Sequence, residues 1–578
     1  MRFGMGLSCA LLALGGMAST AQAQETKPLQ DLTLKDIRYL PRTLAELGDA
    51  KGHVLFFHAS TCAPSVERMP GMVALEAEYR DKGVNFAAVN AGADDTIKHM
   101  AYHALVHNLT FPLFKDRDGA LAAAVGVEQL PAAVLLDAQW NPVWTGDPAA
   151  LGNVLSAHLG GAALPAATAA PETCAITRPV LEPLAEPITY SSHIAPFLNS
   201  HCVRCHHDGG GAPVDLTNYK RVVGNVEMLS EVVGEGRMPP WYAHPDFGEF
   251  RDEPGITQQQ REMFAHWMAA GMPEGDPAEL PETPQFDLAA WQIEPDVIVE
   301  ATQVSAVPKK GYVPYQYIFM PWVAQEDTYV QAFEIKPTNA KVVHHANLIF
   351  VRDGFQVDEA KDFITGYVPG GMPSVLDGDR SWFIPKGASL CFQVHLVTTG
   401  KLESNRMQLG MRFARGVVNK KVYYFNLDGG RRFAIPPNDR AWQLRDSDVL
   451  DVDATGLGLF VHMHLRGKDA QFFAHYPDGR SETLMALPNY NFDWQLTYRY
   501  PPEAFRFPAG TKIECVAHYD NSGFNPYNPA PEKEVRRGPQ TVDEMLNGFF
   551  VYTRDDEQLG LRVDPATGHP VEQLAAAR

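Results

Sequence analysis

The chain has 578 residues, of which 45% are hydrophobic and 20% charged, and its formal net charge is -20. A chain of this length exceeds what one hydrophobic core supports, so we predict several domains. The negative charge is not offset by any basic patch. It therefore argues against nucleic acid and against an anionic membrane surface as partners.

The first 23 residues have the pattern of a secretory signal. Met1-Arg2 is followed by an apolar run over residues 7–17 and by Ala21-Gln22-Ala23, a small-residue cleavage site. The run is too short to span a bilayer, and no later stretch reaches that length. We therefore predict a periplasmic or secreted protein with no membrane span. Six cysteines remain after cleavage, and in so long a chain they do not resemble a disulfide framework.

Residues 24–161 alternate between strand and helix patterns, which predicts an α/β domain. Apolar runs at residues 54–57, 84–89 and 134–137 have the character of buried strands, and helical patterns cover residues 72–79 and 99–107. Cys62 stands at a strand-to-helix turn, and Pro131 precedes a later strand. This arrangement resembles the thioredoxin/redoxin fold, with Pro131 as the cis-proline facing the cysteine.

Cys62 is a candidate redox thiol, because a thiol at a helix N-terminus has a lowered pKa. Ser65 stands where a Cys-x-x-Cys dithiol has its second cysteine, so Cys62 has no resolving thiol nearby in sequence. Cys174 could serve, although nothing in the sequence places it close. If the redoxin-like unit is functional, it is a monothiol reductase, a peroxidase or a partner-docking unit. The alternative is a redoxin fold kept as a structural or delivery module.

Residues 162–187 are rich in Ala and Pro and are predicted to be an extended linker. The next unit, residues 188–282, is predicted to be a small all-α domain. It carries Cys202-Val203-Arg204-Cys205-His206, the pattern of covalent haem c attachment, in which His206 is the proximal iron ligand. A zinc knuckle or a redox dithiol is the alternative, but no second Cys pair completes a zinc site.

The sixth ligand of the haem iron is predicted to be Met238, in Arg237-Met238-Pro239-Pro240. A His/Met pair raises the haem potential and suits electron transfer. The rival ligands are Met228, His207 and His244. The whole segment resembles the monohaem cytochrome c module in the form that is fused to bacterial copper oxygenases.

After residue 290 the chain has the alternating patterns and frequent turns of an all-β region, long enough for two β-sandwiches. His462 and His464 would project from one face of a strand, while Met463 points the other way into a core or an interface. His344 and His345 would face opposite sides of a regular strand, so binding one metal together requires a bend or a strand end. Five imidazoles and one thioether suit copper better than a hard cation. The full candidate set is His344, His345, His395, His462, His464 and Met545.

These residues and their order resemble the copper type II, ascorbate-dependent monooxygenases, the family of peptidylglycine α-hydroxylating monooxygenase and dopamine β-monooxygenase. The resemblance implies two jelly-roll-like sandwiches, residues 283–425 and 426–578, with one copper in each across a solvent-filled cleft. It assigns an electron-transfer copper to His344, His345 and His395. It assigns an oxygen-binding copper to His462, His464 and Met545, and makes Asn547 a candidate for the substrate site.

The resemblance implies hydroxylation of an activated C–H bond of a small organic substrate with O2. The electron donor would be an ascorbate-like reductant or a redox protein, with electrons entering through the fused haem c. Phe460 replaces the Arg that holds the carboxylate of peptide substrates, so a peptidylglycine substrate is not expected. Leu546 replaces a cysteine, so a disulfide that would hold the Met545 segment to Cys515 is absent.

Two other functions remain open from the sequence. One is a non-catalytic electron-transfer or copper-handling protein that uses haem and thiol for redox delivery. The other is a thiol enzyme whose activity resides in the redoxin-like unit, with the remaining units inactive.

Overall fold

The computed structural model describes residues 27–178, 184, 186–287, 290–352, 362–430 and 433–574. The predicted signal peptide and part of the predicted linker lie outside these ranges. Within them, no helix combines the length and the apolar character that crossing a bilayer requires.

The N-terminal unit is a seven-stranded sheet with the strand order β2-β1-β5-β4-β3-β7-β8, in which β3, β4 and β5 are parallel. Alternate residues of β3 pack into hydrophobic cores on opposite faces of the sheet, so both faces are buried. The predicted α/β fold is confirmed. Its elements are β1 (Thr33–Asp36), β2 (Pro41–Thr43), β3 (Gly52–His58), α1 (Ala63–Tyr79), β4 (Val84–Asn90), α2 (Ile97–Val106), β5 (Leu113–Lys115), α3 (Ala120–Ala124), β6 (Gln129–Leu130), β7 (Ala132–Asp137), β8 (Pro142–Gly146) and α4 (Leu151–Leu159).

The predicted linker does not leave the N-terminal unit as a free spacer. The Thr168 carbonyl of the linker accepts a hydrogen bond from the Asp147 N–H (2.7 Å). Further along the linker, a short strand, β9 (Cys174–Ala175), pairs with β6. The first part of the linker is therefore attached to the redoxin unit.

A helical unit follows, beginning with a π-helical turn at Tyr190–Ile194. Its helices are short and pack around Phe264 and Trp267, both fully buried. Thr257 and Gln260 form a capping box that fixes the start of the longest helix. The helices are α5 (Ala195–His201), α6 (Tyr219–Val223), α7 (Val226–Gly234) and α8 (Gln258–Ala269).

The first β unit has two facing sheets with a common core. One has the path β10-β20-β13-β17-β22 with β16 beside β13, and the other has the order β12-β18-β14-β15. Its strands are β10 (Val297–Glu300), β11 (Ser305–Val307), β12 (Gln316–Val323), β13 (Thr328–Pro337), β14 (Val343–Val351), β15 (Phe363–Tyr367), β16 (Ser374–Val375), β17 (Arg380–Ile384), β18 (Ser389–Leu396), β19 (Glu403–Asn405), β20 (Met407–Phe413), β21 (Val417–Val418) and β22 (Lys420–Lys421).

The second β unit is also built from two facing sheets, β23-β33-β26-β29 with β30 beside β26, and β25-β31-β27-β28. Its last two strands return to the first unit, where β34 pairs with β21. Its strands are β23 (Tyr423–Leu427), β24 (Ala434–Ile435), β25 (Trp442–Val449), β26 (Ala454–His462), β27 (Gly467–His475), β28 (Ser481–Leu487), β29 (Thr497–Arg499), β30 (Arg506–Phe507), β31 (Lys512–Tyr519), β32 (Val535–Arg536), β33 (Asn547–Arg554), β34 (Leu561–Val563) and β35 (Pro570–Gln573).

The four units pack directly against one another. The Arg42 guanidinium of the redoxin unit lies 3.9 Å from the Phe524 ring centroid of the second β unit. Trp241 of the helical unit packs edge-on against Tyr498, with ring centroids 4.9 Å apart. These contacts fix the relative positions of the candidate sites.

Candidate functional sites

Three histidines of the first β unit form one compact group. His344 and His345 lie on β14, and His395 lies directly opposite His345 on the neighbouring strand β18. One ligand nitrogen of each ring can be chosen so that all three lie within 4.8 Å of one another. A metal ion could therefore be held between them.

An irregularity in β14 allows adjacent histidines to serve one site. The pairing of β14 with β18 shifts register between Val343 and His345, which is the signature of a β-bulge. The ring centroids of His344 and His345 are 5.5 Å apart, and each is close to His395, at 4.7 and 5.2 Å. The predicted departure from a regular strand is confirmed.

A second pair of histidines lies where β26 ends. His462 is the last residue of that strand, His464 follows it, and their ring centroids are 5.0 Å apart. Met463 between them is fully buried. Its N–H donates a hydrogen bond to the Tyr490 hydroxyl, and that hydroxyl donates to the Met463 carbonyl. The prediction that Met463 points into the core is confirmed.

Backbone and side-chain oxygens orient the two rings of this pair. His462 Nδ1 lies 2.6 Å from Gln495 Oε1, and His464 Nδ1 lies 3.3 Å from the Asp543 carbonyl. With Nδ1–H donating in both rings, Nε2 keeps its lone pair. This is the arrangement in which a metal-ligating histidine is usually held.

Met545 is tied to His464 through the buried carboxylate of Glu544. One oxygen, Oε1, accepts from the N–H groups of both His464 and Met545, and Oε2 accepts from the Arg466 N–H at 2.9 Å. Tyr519 adds a bond to the Met545 carbonyl at 3.0 Å. These contacts hold the Met545 segment without the disulfide that the sequence lacks.

Asn547, the substrate-site candidate, lies opposite His462 in the pairing of β26 with β33. Its Nδ2 is 3.2 Å from Met545 Sδ. The structure thus places Asn547 against the methionine sulfur, and its contact with a substrate stays a prediction.

The two histidine groups are side by side, and the expected solvent-filled cleft between them is wrong for this structure. The ring centroids of His345 and His462 are 6.0 Å apart. Tyr315 bridges the groups, with its centroid 4.9 Å from His395 and 6.5 Å from His464. The cause is the close packing of the two β units, which brings β14 and β18 against the end of β26.

Burial sets the protonation state of these rings. Burial, with a smaller contribution from neighbouring imidazoles, lowers the pKa of His395 to about 3 and that of His462 to about 4. The pKa values of His345 and His464 are held well below the usual range for the same reasons. All four rings are neutral at pH 7, and neutral imidazole is the form that binds metals.

Several of the buried ring nitrogens have no hydrogen-bond partner: Nδ1 of His344, both nitrogens of His345, Nδ1 of His395 and Nε2 of His464. Unpaired polar atoms are costly in a protein interior, so each requires an explanation. A metal ion at each histidine group would take one lone pair from each of these rings. The donor set therefore fits the copper that the resemblance implies.

An aromatic cluster stands beside the second histidine pair. Phe460 and Phe549 lie opposite each other on β26 and β33, and Phe363 of the first β unit stacks on them at 5.9 and 4.8 Å. Phe460 occupies the position at which the resembling peptide enzymes have an Arg. No charged group replaces it within this cluster.

The helical unit presents its Cys-x-x-Cys-His motif directly after α5. Cys202 and Cys205 are free thiols, and burial raises the pKa of Cys202 to about 12. His206 Nδ1 lies 2.8 Å from the Val214 carbonyl, which leaves Nε2 available. These features fit a proximal haem ligand.

Met238 packs with Cys202 and Val214 against the core of the helical unit. Its rivals are less suitable, because Met228 is exposed and His244 packs between units, 4.4 Å from the Tyr102 ring of the redoxin unit. His207 stacks on Phe286 at 4.2 Å. Met238 therefore stays the predicted sixth ligand.

The haem motif abuts the first β unit. At Gly370, in the loop after β15, an added Cβ would lie only 2.5 Å from Cys205 Sγ. The loop follows β15, and β15 pairs with β14, the strand that carries His344 and His345. The predicted haem site and the three-histidine group are thus connected through a single sheet.

The redoxin site contains a disulfide that the sequence did not reveal. Cys62 is bonded to Cys174, the candidate partner that the sequence left open without placing it close to Cys62. Cys62 precedes α1, and its sulfur lies 3.7 Å from the Leu130 carbonyl. The Leu130–Pro131 peptide bond is cis, so the predicted cis-proline facing Cys62 is confirmed.

Comparisons with known proteins agree with this N-terminal fold. Residues 26–141 match the AhpC/TSA family. The chain therefore has an N-terminal thioredoxin-like redox domain.

The relatives matched by this region are bacterial thiol proteins. The thiol-disulfide oxidoreductase ResA of Halalkalibacterium halodurans is 27% identical over 145 residues, which cover 25% of this chain and 73% of the relative. The thioredoxin-like protein YneN of Bacillus subtilis is 34% identical over 116 residues, or 20% of this chain and 66% of that protein. A secreted Mycobacterium tuberculosis disulfide oxidoreductase of known structure is 23% identical, with a TM-score of 0.19 over 23% of this chain and 97% of its own.

Proposed function

We propose that the chain is an exported copper-dependent monooxygenase that hydroxylates an activated C–H bond of a small organic substrate with O2. The observation that carries the proposal is the group of His344, His345 and His395, in which one ring nitrogen of each lies within 4.8 Å of the others. Beside it stands the pair His462 and His464, with Met545 fixed to the same strand end. Bound copper would supply one-electron redox chemistry and a site at which O2 is reduced.

The chain's own residues would prepare this site in three ways. Burial keeps the imidazoles neutral and available as ligands. Gln495 and the Asp543 carbonyl orient the rings of His462 and His464. The thioether of Met545 is a soft ligand, which favours the Cu(I) state at the second group.

The aromatic cluster of Phe363, Phe460 and Phe549 supports an apolar substrate. The three rings present no charge with which to hold a carboxylate. Phe460 lies two residues before His462 on β26, and Phe549 lies opposite it. We propose that the C–H bond to be hydroxylated belongs to an apolar or aromatic group that packs against these rings.

Electrons would enter through haem c bound to Cys202, Cys205 and His206, with Met238 as the second axial ligand. The contact of Cys205 with the Gly370 loop supports this route. That loop directly follows β15, which pairs with the strand that carries His344 and His345. Attachment of haem is tested by the alkaline pyridine absorbance of the purified chain and by its mass. The variant Cys202→Ser, Cys205→Ser should lose both signals.

Metal analysis separates the proposal from its alternative, a non-catalytic electron-transfer or copper-handling protein. Anaerobic loading with Cu(I) should give two copper ions per chain. His395→Ala should lose one of them, and His475→Ala, on the surface of the second β unit, should lose neither. Met545→Leu should abolish oxygenation but keep the copper of the three-histidine group. Full copper binding with no oxygenation of any substrate in the wild type would support the alternative.

A further inference from the structure

The chain segment after the redoxin domain folds back over Cys62. Cys174 is bonded to Cys62 and lies opposite Leu130 in the pairing of β9 with β6. The Ile176 N–H adds a hydrogen bond to the Glu128 carbonyl at 3.2 Å. The segment therefore occupies the edge of the redoxin fold that carries the cis-proline, beside the thiol.

The two sulfurs of this disulfide have different surroundings. Cys62 is 2% exposed and belongs to the core cluster beneath β3, whereas Cys174 is half-buried between the exposed residues Thr173 and Ala175. A thiolate must reach the sulfur that it attacks, so access favours Cys174. Departure of the other sulfur is favoured as well, because Cys62 stands at the N-terminus of the 17-residue helix α1, where a thiolate is stabilised.

We propose that Cys62 and Cys174 are a redox-active pair in which Cys174 exchanges with partner thiols and Cys62 is the leaving thiol. A thiolate of a partner dithiol attacks Cys174 Sγ. The bond between Cys174 and Cys62 breaks, a partner–Cys174 disulfide forms, and Cys62 leaves as the thiolate. The second partner thiol then attacks its own sulfur in that mixed disulfide and releases Cys174. The partner is oxidised to a disulfide by two electrons, and Cys62 and Cys174 are reduced to thiols.

Reduction also releases the segment of residues 172–178 from β6. Without the covalent bond, the two-residue pairing of β9 with β6 is supported by few contacts. The Thr173 hydroxyl donates a hydrogen bond to Gln129 Oε1 at 2.6 Å, and the Arg178 guanidinium donates one to the Gly119 carbonyl at 3.4 Å. Exposed hydrogen bonds of this kind open readily. Reduction would therefore uncover Leu130 and Cys62 to a partner.

The pair is tested on the oxidised full-length chain, independently of copper and haem. Free thiols are first blocked with N-ethylmaleimide, glutathione is then added, and the products are trapped with iodoacetamide and mapped by peptide mass spectrometry. The expected result is glutathione on Cys174 and the iodoacetamide label on Cys62. Glutathione on Cys62 would overturn the assignment of roles. A disulfide that resists excess dithiothreitol in the folded chain, and opens only in denaturant, would overturn the proposal as a whole.

Hydrogen exchange tests the release of the segment. Peptides covering residues 172–178 should lose amide protection when the wild type is reduced with dithiothreitol. Cys174→Ser should show the same loss without any reductant, while Cys391→Ser, at a buried cysteine outside the disulfide, should keep the protection. Unchanged protection of the segment in reduced wild type would contradict the release.

Discussion

His344 Nε2 lies 2.9 Å from Asp493 Oδ1, so a carboxylate of the second β unit orients a histidine of the first. With Nε2–H donating to Asp493, the unpaired Nδ1 of His344 is the nitrogen left for a metal ion. A carboxylate behind a ligating histidine fixes the ring and raises its basicity. Asp493 is therefore a positioning residue that joins the two β units at the metal-binding group.

Replacement of Asp493 should weaken metal binding at the three-histidine group. We expect Asp493→Ala to lower Cu(I) affinity there by about 10- to 100-fold, because the His344 ring loses its orientation. Asp493→Asn should lose less, since its amide oxygen still accepts from Nε2–H. Competition with a chromophoric Cu(I) chelator measures the affinity. Asp448→Ala, at an exposed carboxylate on β25, is the control, and an equal loss in that variant would contradict a specific role.

Replacement of Glu544 should loosen the end of β26. Glu544→Ala leaves the N–H groups of His464, Arg466 and Met545 without their buried acceptor, at a cost of about 1 to 3 kcal/mol for each unsatisfied group. We expect faster amide exchange in peptides that cover residues 463–467 and 543–546. Glu482→Ala, in the same β unit but at its surface, should leave exchange unchanged. Full protection in Glu544→Ala would show that other contacts hold the Met545 segment.

Contact between the haem motif and the first β unit is tested at Gly370. A side chain there would collide with Cys205 Sγ, and the backbone at Gly370 has a φ of +76°, which favours glycine. Gly370→Val should therefore push the helical unit away and speed alkylation of Cys205 in chain prepared without haem. Gly378→Val is a matched control, with a φ of +69° but no atom within 4 Å of the added Cβ. Equal rates in the two variants would contradict the contact.

Removal of the disulfide should destabilise the redoxin domain. The bond spans 112 residues of sequence, and a native disulfide of this kind contributes about 2 to 4 kcal/mol. Cys62→Ser, Cys174→Ser and the double variant should lower the urea midpoint of this domain equally, because each removes the same bond. A single variant that is less stable than the double variant would point to a role for the remaining thiol in packing.

Acid should destabilise the redoxin domain through buried His58. The pKa of His58 is lowered to about 3, mainly by burial, with His103, Lys115 and His107 contributing to the lowering and Asp95 opposing it. The unfolded chain binds a proton near pH 6.5 and the folded chain does not, so stability is lost as pH falls below about 6.5, by at most about 1.4 kcal/mol per pH unit from this group. Thermal unfolding at pH 7.5 and 5.0 measures the loss. His58→Leu should reduce it and Phe56→Leu should not. Equal pH dependence in all three proteins would exclude His58 as the cause.

Local patterns were enough to predict the redoxin fold and the identity of the clustered histidines. The strands around Val54 and Val134 are short apolar runs, and His462 and His464 lie within three residues of each other. Such features depend on neighbouring positions only. The bend at His344 was also predictable, because two adjacent side chains cannot share one face of a regular strand.

Features that depend on the packing of distant segments could not be predicted. Cys174 is 112 positions from Cys62, and Asp493 is 149 positions from His344. The proximity of the two histidine groups depends on how the β units pack, which no local pattern encodes. Glu544 was the exception, since a carboxylate beside Met545 within a buried segment must find donors.

The proposed function requires oxygen transfer by a chain that carries copper in both histidine groups. The direct test is anaerobic loading with Cu(I) and a reductant, followed by 18O2 and a panel of small apolar substrates with activated C–H bonds, with products read by mass spectrometry. We predict two copper ions per chain and a product that has gained one 18O atom. Fewer than two copper ions per chain, or a fully loaded chain that transfers no 18O to any substrate, would contradict it.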